Sequence, residues 1–210
     1  MLSRAEFPSL TVTATRAADA LGSIDLQWLE PSDGFVTPEV VRDALTDDTR
    51  AIAVSLVDFR TGYRADLTAL REVIGDRLLI VDAMQGFGVV AADYAAADVV
   101  CGNGYKWLRA GRGTGFSWFS DRALERIAPV LSGWAGIDGD LAMDAVPAPA
   151  ASAQAFSVSH PDHLAVARLA TALRDVRDVG IDRIDEALSE RARDVIFFAD
   201  RYGVDVLTPR

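Results

Sequence analysis

Apolar positions recur along this chain with two periods, and the two alternate. After Phe7-Pro8-Ser9, the residues Leu10, Ala14, Ala17 and Leu21 return at helical spacing; Ser9 can cap that helix and Gly22 can end it. Ile24 to Leu29 fits a strand, Pro31, Asp33 and Gly34 make a turn, and Thr37-Pro38-Glu39 opens a short helix to about Leu45. Ala51 to Val57 is almost wholly apolar, as in a parallel strand covered on both faces. Asp66 then caps a helix carrying Leu67, Leu70, Val73 and Ile74, Gly75 stops it, and Leu78-Leu79-Ile80-Val81 is the next buried strand. Asp98-Val99-Val100-Cys101 repeats the strand pattern, Phe116-Ser117-Trp118-Phe119 alternates like another, and Ser120 caps a helix expected to reach Leu131. Strands alternating with helices predict an α/β fold, with a mainly parallel sheet and helices on both faces.

Past Ser132 the pattern dissolves: to about Ala155 the chain is rich in Gly, Ala, Pro and Asp, which predicts an extended loop or flap. Pro161 suits the first turn of a helix bearing Leu164, Ala167, Leu169, Leu173 and Val176, ended by Gly180. A second helix is expected from about Asp182 to Tyr202, with Gly203 closing it and Val204 to Leu207 starting a strand. Residues 1–180 are thus expected to form a large domain, and 181–210 a connecting helix with the start of a smaller one.

Composition narrows the function. With 31 acidic and 21 basic residues the formal charge is −10, which repels phosphate backbones and anionic lipid, so neither nucleic acid nor membrane is expected as a partner. No signal-peptide pattern and no run of about 18 apolar residues occurs. The single cysteine, Cys101, fits a reducing compartment, and a cytoplasmic protein without a metal site is expected. Half the residues are apolar, enough for a substantial core.

One compositional feature is sharper: of the 21 basic residues, 20 are arginine and one, Lys106, is lysine. A guanidinium cannot form an imine, whereas a deprotonated lysine amine can. Asp82 follows four aliphatic residues, so its carboxylate should stand at the carboxyl edge of the sheet, where ligands of open α/β folds bind. Lys106 comes shortly after the next strand and should reach the same edge. Pyridoxal phosphate (PLP) needs such a pair: a lysine that forms a Schiff base and later moves protons, and an aspartate that keeps the pyridine nitrogen protonated. A strand-end aspartate beside a surface lysine would account for the pair equally well on position alone.

The wider string distinguishes them. Val81-Asp82-Ala83-Met84-Gln85-Gly86-Phe87-Gly88, then Asp93, Asp98 and Gly102-Asn103-Gly104-Tyr105-Lys106-Trp107-Leu108 with Gly113 and Gly115, resembles the signature of the class V aminotransferase family of fold type I PLP enzymes. Phe7-Pro8-Ser9, the stretch from Phe59 to Leu67, and Gly133-Trp134 are similar to its isopenicillin N epimerase-like and kynureninase-like branch. The resemblance covers about residues 5 to 205. It implies that Asp82 binds the pyridine nitrogen, Gln85 the ring hydroxyl oxygen and Lys106 the cofactor covalently, with Asn103 and Tyr105 helping to hold the phosphate. It implies a homodimer acting on an amino acid or amine by transamination, epimerisation or carbon–carbon or carbon–sulfur lysis.

Ser159-His160 stands where relatives usually carry Gly-Thr, so His160 is the candidate for a phosphate contact across subunits. The family's first phosphate-binding segment would lie upstream of Met1, and the small C-terminal domain would begin near Val204. The chain is therefore expected to be a fragment of the family architecture that binds PLP weakly or not at all by itself, or else a non-catalytic or truncated paralogue serving as a binding or interaction module. Cysteine desulfurases of this superfamily need a mobile thiol, and Cys101 lies in a predicted strand, which argues against that activity. The Gly111-x-Gly113-x-Gly115 run lacks dinucleotide-fingerprint spacing.

Overall fold

A computed structural model describes residues 1–140 and 144–209. Its centre is a sheet of β3 (Ala51–Ser55), β4 (Leu78–Asp82), β5 (Val99–Asn103) and β6 (Gly115–Phe119), in that order. The first three run parallel and β6 is antiparallel to β5. A smaller parallel pair, β1 (Leu2–Ser3) and β2 (Trp28–Leu29), adjoins β3, because the Met1 amine donates to the Ala51 carbonyl at 2.9 Å and Ala53 N–H to the Met1 carbonyl at 3.0 Å.

Burial explains the apolar strands. Ile52, Val54, Leu79 and Val81 are almost wholly buried and share one core with Leu67, Leu70 and Ile74 of α3 (Leu67–Ile74) and Val41 of α2 (Pro38–Ala44). Sequence signals set several boundaries as expected: Thr37, Asp66 and Ser120 each accept a backbone N–H at a helix start, and Gly75 ends α3 at φ 58°.

Other boundaries differ from the expectation, each for a local reason. α1 (Pro8–Leu21) starts with proline at its first position and Phe7 before it, so Ser9 lies inside the helix and caps nothing. α4 (Asp121–Arg126) stops well short of Leu131, because Pro129 cannot continue it and disfavours helix in the residue before it. α5 (His163–Val179) is capped by Asp162, which accepts from Leu164 and Ala165 N–H, and Pro161 lies outside it. Gly180 at φ 89° separates it from α6 (Ile181–Arg201). β2 is only two residues long, and Val204 to Leu207 forms no strand. Residues 132–155 hold short turns tied by backbone bonds, including Gly133 to Ser157 and Asp138 to Ala148, while 141–143 lie outside the described residues.

α6 returns to the sheet layer through Ile184 and Leu188, which pack against the core, and through Asp185, which meets Arg64 Nη2 at 2.7 Å and Ala91 N–H at 2.9 Å. Among the described residues no helix is long and apolar enough to cross a membrane.

Candidate active site at the carboxyl edge of the sheet

Parallel pairing brings the ends of three strands to one edge. Ser55 of β3 stands opposite Asp82 of β4, Asp82 opposite Cys101 of β5, and Asn103 lies two residues further on. Asp82 Oδ1 accepts the Met84 N–H at 2.9 Å, which turns the chain away from the strand. Burial pushes the Asp82 carboxyl above the ordinary carboxylate range, and the Met84 N–H and the Lys106 charge offset this only in part.

The loop after β5 sets Lys106. Asn103 Oδ1 accepts the Lys106 N–H at 3.0 Å while its Nδ2 lies 2.9 Å from Met84 Sδ, so one amide links the loops that follow β4 and β5. Arg109 adopts the left-handed region at φ 54°, uncommon outside glycine, and the chain folds back so that Ala110 N–H reaches the Gly104 carbonyl at 2.6 Å. A Cβ at Gly104 would collide with the Thr114 hydroxyl, which is why the loop needs glycine there. Trp107 Nε1 donates to the Gln85 carbonyl at 2.8 Å, a second tie between the two loops.

Asp82 and Lys106 both follow strands that end at this edge. Lys106 and Asp82 feel each other's charge but form no ion pair, and Lys106 Nζ lies 5.8 Å from the Phe7 ring centroid. Among the described residues the Asp82 side chain receives one hydrogen bond and the Lys106 amine has no carboxylate partner. An amine without a carboxylate partner and a carboxyl raised by burial, both at one edge, suit a group carrying a carbonyl and a protonatable ring nitrogen.

The other expected residues are distributed differently. Gln85 lines a cleft with Tyr63, Arg64 and Trp107 beneath α6; Lys106 lines an adjoining cleft with Leu108, Val176 and Ile184, and Asp82 lines neither. Asn103 is 7% exposed with both side-chain atoms engaged inside the protein. Tyr105 points outward, 44% exposed, with the Arg112 guanidinium 5.4 Å from its ring centroid. His160 meets the Trp134 ring edge-on at 4.3 Å between centroids.

Sequence reasoning missed a neighbour. Glu6, 7% exposed, accepts the Ser55 N–H through Oε1 at 3.0 Å and bonds the Ser55 hydroxyl through Oε2 at 2.5 Å. Burial pushes its carboxyl up, the Ser55 bonds oppose this, and the charges of Asp82 and Asp58 add to the rise. The available signal was an acidic residue directly before an apolar helix start, which also describes many exposed residues.

Comparisons with known proteins identify the family. A model of the aminotransferase class-V family matches residues 1–192. The chain is 31% identical over 212 residues to a kynureninase of Deinococcus radiodurans, covering 97% of this chain and 50% of that protein. It is 35% identical over 114 residues to the Pseudomonas fluorescens kynureninase, covering 51% of this chain and 27% of that protein. In fold it is similar to the apo cysteine desulfurase of Thermococcus onnurineus NA1, with a TM-score of 0.85 at 20% identity over 100% of this chain and 53% of that one. A cystine C–S lyase bound to its product, cysteine persulfide, gives a TM-score of 0.74 at 22% identity over 85% of this chain and 49% of its own. The chain thus spans about half the length of the Deinococcus radiodurans kynureninase and of the Thermococcus onnurineus desulfurase. With the family model covering residues 1–192, the chain belongs to the aminotransferase class-V family.

Proposed function

We propose that this chain is the cofactor-binding core of a PLP-dependent enzyme that transforms an amino acid. The observation that carries the reading is that its only lysine and a half-buried aspartate lie toward one sheet edge, in each other's field yet unpaired. The kynureninase relatives support an amino-acid substrate, with a kynureninase-type transformation as the first one to test. Bound PLP would supply the electron sink for a carbanion at the substrate's α-carbon.

Lys106 would hold the cofactor covalently and, as a free amine, would take the substrate's α-proton on Nζ and return it. Asp82 would face the ring nitrogen; a protonated nitrogen there would draw its carboxyl down from its raised position and keep it ionised. Gln85 is assigned to the ring hydroxyl, Tyr105 to the phosphate, and His160 to the phosphate of a partner subunit. Asn103 is assigned to the same phosphate region, where its bonds to Lys106 N–H and Met84 hold the loop in place. We read residues 1–180 as the large domain and the rest as the connection to a smaller one. Exposed Phe197, Phe198 and Tyr202 on and just after α6 favour association, which we infer to be homodimeric, and the lone cysteine favours residence in the cytoplasm.

The test is exchange of the α-proton of amino acids in deuterated water, followed by NMR with PLP present. Exchange should occur with the unsubstituted protein, vanish in Lys106→Ala, and fall steeply in Asp82→Ala. Undiminished exchange in Lys106→Ala would reject the proposal.

A further inference from the structure

Phe7 stands against the Lys106 amine, and the residues that hold it there are not those that bear the candidate chemistry. Phe7 ends the turn between β1 and α1 and, as the residue before the helix, makes no side-chain cap. Two contacts fix its place. Its ring meets Phe59 edge-on, with centroids 5.1 Å apart, and Phe59 belongs to a turn ordered by Asp58, which accepts from Arg60 N–H, Thr61 N–H and the Thr61 hydroxyl. Directly before it, Glu6 joins that turn to the end of β3 through both carboxyl oxygens, one on Ser55 N–H and one on the Ser55 hydroxyl.

We infer that Glu6 is a positioning residue of the site: its two-point bond to Ser55 pins the turn before α1 to the sheet edge and thereby sets the Phe7 ring against the Lys106 amine. Ser55 is the strand neighbour of Asp82, so the same bond references the Phe7 wall to the strand that carries the candidate carboxylate. A surface carboxylate could not do this. The bond is part-buried, and it spans 49 residues of sequence between the turn before α1 and the end of β3. A one-sided bond would leave the turn free to pivot; a carboxyl held at both oxygens fixes its orientation as well as its distance.

The inference rests on Lys106 being the reactive amine, and its test needs no cofactor. Because Lys106 is the only lysine, reductive methylation with 13C-formaldehyde labels it and the Met1 amine alone. Ring current from Phe7 should displace the Lys106 methyl proton resonance upfield, and Phe7→Leu defines the size of that displacement. Glu6→Ala should abolish most of it with the circular dichroism spectrum unchanged. Glu6→Gln, which can still accept the Ser55 N–H and donate to its hydroxyl, should restore it. Ser55→Ala keeps the N–H bond and loses the other, and should move the resonance part of the way; this variant decides the matter if Glu6→Ala does not fold. A resonance unmoved in Ser55→Ala, or in a folded Glu6→Ala, overturns the inference. Failure of the underlying reading is separate: it would show as no covalent capture of PLP on Lys106 in the unsubstituted chain.

Discussion

Asp98 offers the most quantitative perturbation, because it is 1% exposed and every bond it makes can be named. Its carboxylate accepts Leu79 N–H at 2.8 Å, Arg71 Nη2 at 2.5 Å, Arg122 Nε and Nη2 at 2.9 and 2.7 Å, and the Ser120 hydroxyl at 3.1 Å. Burial pushes the carboxyl up, but the Leu79 N–H and the guanidiniums of Arg122 and Arg71 outweigh it and hold the group below the usual carboxylate range. Removing one partner of a buried ion pair costs about 3–5 kcal/mol when the other is left uncompensated. Here Arg71 keeps three backbone carbonyls and Arg122 is 30% exposed, so the orphaned group is chiefly the Leu79 N–H. The lower bound applies, and Asp98→Ala should cost about 3 kcal/mol, or a fall in Tm of roughly 6–12 °C for a chain of this size. Urea unfolding followed by circular dichroism, with an unchanged slope, is the assay. A loss under about 0.5 kcal/mol would refute the reasoning, since it would put Asp98 in the range of an ordinary surface substitution. The sign with pH is also fixed: a depressed carboxyl stabilises the fold above the unfolded-state pKa and the contribution is lost as pH falls, so Asp98→Ala should differ least from the parent in acid.

Three other bond sets give further expected outcomes. Glu6 is raised by burial with Asp82 and Asp58 nearby, so stability should decline as pH rises through and above the ordinary glutamate range; Glu6→Gln should flatten that decline in urea unfolding at a series of pH values. Asn103→Ala loses the bonds to Lys106 N–H and Met84, and should cost about 1–2 kcal/mol and raise amide exchange at Lys106. Asp185→Ala removes the bonds to Arg64 and Ala91 that dock α6, and should speed exchange in α6 while leaving β3 to β5 protected, as hydrogen exchange by mass spectrometry would show.

How much was legible in the sequence depended on whether the signal was local. β3, β4 and β5 were readable because each is a short apolar run between turn residues, and parallel strands covered on both faces need such runs. That Asp82 and Lys106 lie toward one edge was readable because alternation of strand and helix sends both strand ends there. Helix ends were less so: Ser9 and Pro161 are suitable start residues, yet Pro8 and Asp162 beside them won the positions. Asn103 shows the limit for the site, since an amide suited to a phosphate oxygen is equally suited to cap the backbone of its own loop. Glu6 was invisible because its partner lies 49 residues away on a strand whose neighbours only the fold assigns.

The central claim, that Lys106 is the reactive amine of a PLP site, is tested most directly by covalent capture. The 210-residue chain is incubated with PLP in excess, reduced with borohydride, digested and mapped by mass spectrometry, alongside a sample unfolded in urea and the Asp82→Ala variant. Native protein should carry one pyridoxyl group on the peptide containing Lys106, with weaker capture in Asp82→Ala and loss of that preference in urea. Labelling of Met1 alone, or equal labelling of Lys106 in the native and unfolded chains, would contradict the account.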